Sequence, residues 1–171
     1  RGSIVPHAPY SVPPVLMRKI NNAFDDNDEL LTIHMQETNE ENQLFEYKKG
    51  AFFDWLNSMN ACLSIWESRN KSTDILQELA GKKVLLVHNT FAKKEDMTDN
   101  YYCTCPRANL YIENNLPDYS IFDYDKLCVG TDSLASNNSL SILDEIIVIQ
   151  NNSNFDLNTL LKIASKNGAK A

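Results

Sequence analysis

Short apolar runs in this chain keep ending near a histidine or an aspartate, and longer amphipathic stretches separate them. Ser3-Ile4-Val5 leads to His7, Leu30 to Ile33 leads to His34, Val84 to Val87 leads to His88, and Leu127 to Gly130 leads to Thr131-Asp132. Tyr101 to Cys103 reads as one more short strand. Between them lie helical patterns. Pro13-Pro14 opens one, with Val15, Leu16, Ile20 and Phe24 near a single face, and Asp25 to Asp28 form a polar break after it. Residues 38–59 form a second, interrupted at Gly50. Thr73 to Ala80 form a third, closed by Gly81 in a C-cap position, and Leu140 to Ile149 and Leu157 to Ala164 complete the set. Strand-then-helix alternation predicts an α/β fold with a parallel sheet and helices outside it. Five strands are too few for a complete eight-stranded barrel, and the five isolated glycines exclude GxGxxG and Walker A patterns. The simplest account is a partial TIM-type (β/α)8 barrel, strands 4–8 with their helices, filling residues 1–171 as a single domain.

Charge and composition narrow the partners. The net charge of −7 opposes a polyanionic partner, and the basic pairs Lys82-Lys83 and Lys93-Lys94 read as solvated surface, so nucleic acid is not expected. No apolar run approaches the ~20 residues of a membrane span. Cys62, Cys103, Cys105 and Cys128 form no disulfide framework, which suits reduced thiols in a cytoplasmic protein. Cys103 and Cys105 lack the tight CxxC turn of a metal knuckle. The chain starts at Arg1 beside a strand end and stops at Ala171 just after a helical pattern, so both ends read as cut from a longer chain.

His7, His34 and His88 are all of the histidines in the chain, and every one follows an apolar strand. In parallel α/β folds the C-terminal strand ends form the active-site face. One such histidine alone reads as a structural imidazole. Three together, with Asp132 at a fourth strand end, read as a site. Neutral imidazole and carboxylate suit zinc or ferrous iron. Such an ion lowers the pKa of its water toward neutrality, and a carboxyl group must then move protons. Glu37, three residues past His34, is placed for this, although beside Glu40 and Glu41 it also reads as the acidic start of a helix.

The segments His7-Ala8-Pro9-Tyr10-Ser11-Val12, Ile33-His34-Met35-Gln36-Glu37-Thr38, Val87-His88-Asn89-Thr90 and Gly130-Thr131-Asp132-Ser133 occur in an order that resembles the aminohydrolase branch of the amidohydrolase superfamily. That branch holds the cytosine, guanine, S-adenosylhomocysteine and aminofutalosine deaminases and the triazine chlorohydrolases. Cys105-Pro106-Arg107-Ala108-Asn109-Leu110 is similar to its CPxSNxxL segment, with Arg107-Ala108 replacing the commoner residues. The resemblance implies a metal-dependent hydrolase of a carbon–nitrogen bond, deaminating an amino-substituted heterocycle or nucleoside through metal-bound hydroxide. It implies His34 and Asp132 as metal ligands, with Asp132 also the base toward the water. Glu37 becomes the proton shuttle that also contacts the substrate ring, and His88 the group that polarises the substrate or positions the water. His7 is implied to reach the sugar of a nucleoside, and Asn109 and Ser133 to shape the pocket.

The departures matter too. The strand-1 HxH pair that completes the metal site is absent, as is the small β-sandwich built from the termini of relatives. Two protein ligands hold a catalytic metal poorly, so this chain alone is expected to be inactive and its parent protein to be the enzyme. Phe52, Phe53, Trp55 and Leu56 read as packing against the sheet or a second subunit, and in relatives this region lines a dimer contact, so a homodimer is expected. The polar stretch from Thr90 to Asn100 reads as a solvated connection rather than a lid. Chloride or amide nitrogen as leaving group, or a non-catalytic barrel scaffold, remain alternative readings. The substrate and the choice of zinc or iron stay open, because both ions accept the same ligands.

Overall fold

A computed structural model describes residues 4–23, 30–61 and 69–171. Phe24, the Asp25–Asp28 break, Ser3 and Cys62 lie outside the described residues. Four strands form one parallel sheet in the order of the chain: β1 (Leu30–Met35), β2 (Lys83–His88), β3 (Tyr101–Thr104) and β4 (Leu127–Val129). Each strand pairs with the next without a reversal of order, which is the arrangement of a barrel arc rather than of a doubly wound sheet. The expected first strand is not present as such, since Ile4 and Val5 are exposed and lie outside the sheet. Its continuation still touches the sheet edge, because the backbone N–H of His34 donates to the carbonyl of His7 (2.9 Å).

The two sides of the sheet differ. Leu31, Ile33 and Met35 alternate with half-buried Leu30, Thr32 and His34, and Val84 and Leu86 continue the buried side on β2. That side packs with Tyr102, Leu127, Met17, Ile20, Ile75, Leu79, Ile149, Leu160 and Ile163 into the main core. The opposite side carries Leu85 and Val87 against a small cluster of Cys103, Cys105, Ala108 and Cys128. Cys103 and Cys128 are register partners across β3 and β4, and with Cys105 they are free and buried. Gly130 lets these sulfurs close in, because a Cβ there would sit 3.0 Å from Cys103 Sγ and 3.3 Å from Cys105 Sγ.

The helices depart from expectation in instructive ways. Helix α1 (Pro14–Ala23) buries Met17 and Ile20, while Val15 and Leu16 are exposed. The inward face is therefore an i, i+3 pair, one step from the apolar residues that crowd the start of the helix. Residues 38–59 do break at Gly50, giving α2 (Asn39–Tyr47) and α3 (Ala51–Ser58). Gly50 has φ 101°, and a Cβ would meet Glu40 Oε2 at 2.6 Å, so only glycine fits. On α3, Leu56 is buried and Phe52 and Phe53 pack beside it, whereas Trp55 stands exposed. The third helix is a tight 3-10 helix, Ser72–Leu79, followed by a turn in which Gly81 takes φ 85°. A helix not expected from periodicity, α4 (Pro106–Glu113), starts directly after β3 with Pro106 at its head. Helix α5 (Ile142–Asn151) is capped by Ser141, whose hydroxyl accepts from the N–H of Asp144. The last helical stretch runs from α6 (Leu157–Leu161) through a wide turn, Lys162–Lys166, into α7 (Asn167–Lys170). Buried Asn167 latches it to β4 by donating to the carbonyls of Tyr124 (2.7 Å) and Leu127 (2.6 Å).

Among the described residues no helix is long and apolar enough to cross a membrane. Leu86 is 1% exposed in the second strand, between β1 and β3. Leu86→Ala is expected to cost about 2–5 kcal/mol of stability, read as a lower urea midpoint with an unchanged slope.

Candidate active site

His34 is not beyond its strand, as the apolar run suggested, but one residue inside the end of β1, on the less covered side of the sheet. Its Nδ1–H donates to the carbonyl of His7 (2.9 Å), which leaves the Nε2 lone pair free. His88 is the last residue of β2 and is fully buried. Its backbone and that of Asn89 are left-handed, with φ 74° and 55°, so strand alternation ends there and the chain turns. The imidazole of His88 then stacks on that of His34 with ring centres 5.2 Å apart. Asp132 also sits on left-handed backbone (φ 56°), three residues past β4. Potential ligand atoms of His34, His88 and Asp132 all lie within 4.8 Å of one another. Left-handed backbone at His88 and Asp132 is strain of the kind that functional sites hold.

Each of these groups is held from behind. The Nδ1–H of His88 donates to Asn109 Oδ1 (2.8 Å), so Nε2 faces the cluster, buried and without a hydrogen-bond partner. Glu37 Oε1 stands 3.5 Å from that same Nε2. Asp132 Oδ2 accepts from the hydroxyl of Ser136. The preceding carbonyl, Thr131, accepts from Asn137 Nδ2 (2.8 Å), which also donates to the buried carboxylate of Glu145 (2.6 Å). Glu145 Oε2 in turn accepts the backbone N–H of Arg107 (2.9 Å) at the head of α4. One carboxylate thus ties the Asp132 loop to the helix that carries Asn109. Burial raises the Glu145 carboxyl, with the N–H groups of Arg107 and Asn137 opposing that shift.

His7 packs on His34 with ring centres 5.1 Å apart and is held through Nδ1 to Ser11 Oγ (2.8 Å). Desolvation lowers its pKa, the neighbouring His34 lowers it further, and Glu37 opposes both, so the ring is biased toward its neutral form. Ser133 is exposed, and its hydroxyl accepts from the N–H of Ala135 (3.2 Å). The structure therefore brings His7, His34, Glu37, His88, Asn109 and Asp132 together, with Ser133 in the adjoining turn.

The sequence reading missed the supports. Ser136, Asn137, Glu145 and Asp96 carry no motif of their own, and Gln36 and Glu41 were given no role. Glu41 did leave a trace, as the fourth residue of Thr38-Asn39-Glu40-Glu41, a capping-box spacing. Thr38 does cap α2, accepting from the N–H of Glu41 (3.3 Å). The stretch after β2 is also more than a solvated connection. Phe91 N–H donates to the carbonyl of Gln36 (3.2 Å), and buried Asp96 accepts from Gln36 Nε2 (3.0 Å) and Lys71 Nζ (2.8 Å).

The donor set fits a divalent cation. The imidazole nitrogens left over by the His7 and Asn109 contacts belong to His34 and His88, both neutral-imidazole donors once their Nδ1–H groups are engaged, and Asp132 adds a carboxylate. Residues 2–171 match the amidohydrolase family. The chain belongs to that family. It is 29% identical to an adenosine deaminase of Helicobacter pylori over 187 residues, covering 100% of this chain and 45% of that relative. It is 28% identical to a 5-methylthioadenosine/S-adenosylhomocysteine deaminase of Thermococcus sibiricus, covering 97% of this chain and 39% of that relative. Among solved structures, it resembles the aminofutalosine deaminase of Helicobacter pylori with a TM-score of 0.82 at 28% identity, over 99% of this chain and 46% of that one. The chain thus spans about half the length, or less, of the relatives it matches, and its sheet is part of a barrel of that kind.

Glu41 is buried completely, and burial pushes its carboxyl up to about 7, against the N–H of Gln36, the Ser72 side chain and the N–H of Glu37, which favour the charged form. A carboxyl raised in the folded state binds more protons there than in the unfolded chain between its ordinary 4.5 and about 7. Its contribution to stability is therefore present below pH 4.5 and is lost as pH rises through about 7. Relative to Glu41→Gln, the native protein is expected to lose about 3 kcal/mol across that interval, measured by urea unfolding at several pH values.

Proposed function

We propose that the protein containing this chain is a metal-dependent hydrolase that deaminates an amino-substituted heterocycle of the nucleoside type. The observation that carries the reading is the Glu37 carboxylate 3.5 Å from the unpartnered Nε2 of His88, beside the His34–His88–Asp132 cluster. Relatives named as adenosine-type deaminases support the substrate class. So does a solved complex of the Helicobacter pylori aminofutalosine deaminase with methylthio-coformycin, which resembles this chain with a TM-score of 0.77 at 28% identity, over 98% of this chain and 44% of that one.

His34 and Asp132 would hold the cation, zinc or iron, with further donors from an HxH pair elsewhere in the whole protein. Bound there, the cation would make hydroxide available at neutral pH. Asp132 accepts the proton of the attacking water, while Ser136 keeps its Oδ2 oriented. Glu37 would deliver a proton to the departing amino nitrogen, which leaves as ammonia, and the proton that Asp132 took from the water would be returned to Glu37 so that both carboxyl groups end the cycle as they began. His88, held by Asn109 with its unpartnered Nε2 turned into the site, would stabilise the addition intermediate. His7 meets the sugar, and Asn109 and Ser133 border the pocket. Chloride needs no proton to leave, so the position of Glu37 favours an amine over a chlorine substituent. The same proposal takes the protein as cytoplasmic and as a homodimer through the α3 region of Phe52, Phe53, Trp55 and Leu56, where Trp55 is exposed.

The metal-loaded enzyme is expected to hold about one zinc or iron per chain by elemental analysis and to release ammonia from aminopurine nucleosides. Glu37→Gln is expected to lower kcat by about 100-fold or more with metal content unchanged, whereas His34→Ala and Asp132→Ala lose the metal. Absence of metal, with no ammonia released after zinc or iron is added, would overturn the reading.

A further inference from the structure

Glu41 is a carboxylate with no exposure to solvent, and none of the ion pairs among the described residues includes it. Burying such a group costs several kcal/mol unless hydrogen bonds compensate. Its oxygens are engaged in an unusual direction. In an ordinary capping box, a Glu at this position of the first turn reaches back to the N–H of the cap residue itself. Here the cap is Thr38, and Glu41 reaches past it. Oε1 accepts the N–H of Gln36 (2.9 Å), and Oε2 lies 3.4 Å from the N–H of Glu37. Two consecutive N–H groups converge on one carboxylate because Gln36 is left-handed (φ 49°), a backbone form that turns successive amides to the same side.

Gln36 is held at its other ends as well. Its carbonyl accepts from Phe91 N–H (3.2 Å), and its side chain donates to Asp96 (3.0 Å), which Lys71 and the N–H of Lys93 hold in turn. The residue directly after this fixed point is Glu37, whose carboxyl stands 3.5 Å from His88 Nε2 and is the group proposed above to bring a proton to the departing amino nitrogen. A displacement of about 1 Å at such a group can cost on the order of 100-fold in rate.

We infer that Glu41 is a positioning residue for Glu37: by gripping the backbone amides of Gln36 and Glu37 from beneath, it sets where the Glu37 carboxyl meets His88. The inference rests on the proton-transfer role proposed above for Glu37. Glu41 itself touches no substrate and performs no chemistry. Replacing it with glutamine keeps its size but offers one acceptor oxygen where two amides point, and turns an NH2 group toward the other.

The test uses the metal-loaded enzyme and four variants: Glu41→Gln, Glu37→Gln, the double variant, and Thr38→Val, which removes the cap hydroxyl but leaves Glu41 in place. Glu41→Gln is expected to lower kcat by about 10- to 100-fold, with KM within about threefold and metal content unchanged. In the Glu37→Gln background the same change should lower kcat by less than about threefold, because a group that acts through Glu37 has nothing left to place. Thr38→Val should lower the melting temperature while kcat stays within about twofold, as loss of a cap alone would. Amide hydrogen exchange gives a readout free of activity, with Gln36 and Glu37 expected to exchange at least about tenfold faster in Glu41→Gln while Ile33 does not change. Wild-type kcat in Glu41→Gln, or a full multiplicative loss in the double variant, overturns the inference, as does unchanged exchange at Gln36 and Glu37. If Glu41→Gln does not fold, Glu41→Asp, which withdraws the carboxyl by one methylene, is expected to show the same fall in kcat, and wild-type kcat there overturns the inference equally. A wild-type enzyme that deaminates no aminopurine nucleoside would sink the functional reading, and the exchange measurement would still decide whether Glu41 holds the loop.

Discussion

The in-register parallel pairing of β1 with β2 is the constraint on which the site depends. It sets His34 beside Val87 and Met35 beside His88, so that two imidazoles start within one strand spacing of each other. The end of β1 is then held by a third segment, since His7 gives its carbonyl to both the backbone and the ring of His34. The pairing of β2 with β3, and of β3 with β4, carries the same level across the sheet, so Asn109 and Asp132 arrive at the same end. Any slip of one residue would reverse every side chain and separate the donors.

Strand ends provide level but not aim. Aim comes from polar side chains, some tying segments distant in sequence and some bracing a loop from within. Asn109 orients His88, Ser136 orients Asp132, and Glu145 links the Asp132 loop to α4. Glu41 and Asp96 clamp Gln36 from two sides. Such groups are expensive to bury, and a fold that contained only a hydrophobic core would be better off without them. Their concentration at one end of the sheet marks where the molecule gives up stability for geometry.

The two sides of the sheet show the same division. The helix-covered side is a continuous apolar core, and substitutions there act on stability. The other side is narrower, lined by Leu85, Val87 and three free cysteines, and leads up to the imidazole cluster. A barrel encloses this second side, which is consistent with relatives about twice as long.

Local pattern was enough to read the segments of β1 to β4, the break at Gly50 and the parallel α/β class. Period-two apolar runs and turn residues are written in adjacent positions, and donor chemistry belongs to the residue type itself. The helix at Pro106–Glu113 and the inward face of α1 were less legible, because a short helix with a mixed face leaves little periodicity and burial is decided by what packs against it. The sequence by itself determined that His34, Glu37, His88 and Asp132 stand near strand ends. Only the tertiary structure decided that His34 lies within its strand, that His88 turns on left-handed backbone to stack against it, and that Glu41 reaches under the loop to Glu37. The reason is physical: strand and helix preferences act between neighbours, whereas the direction of a buried side chain is set by the donors and acceptors that the folded backbone turns toward it, near or far in sequence.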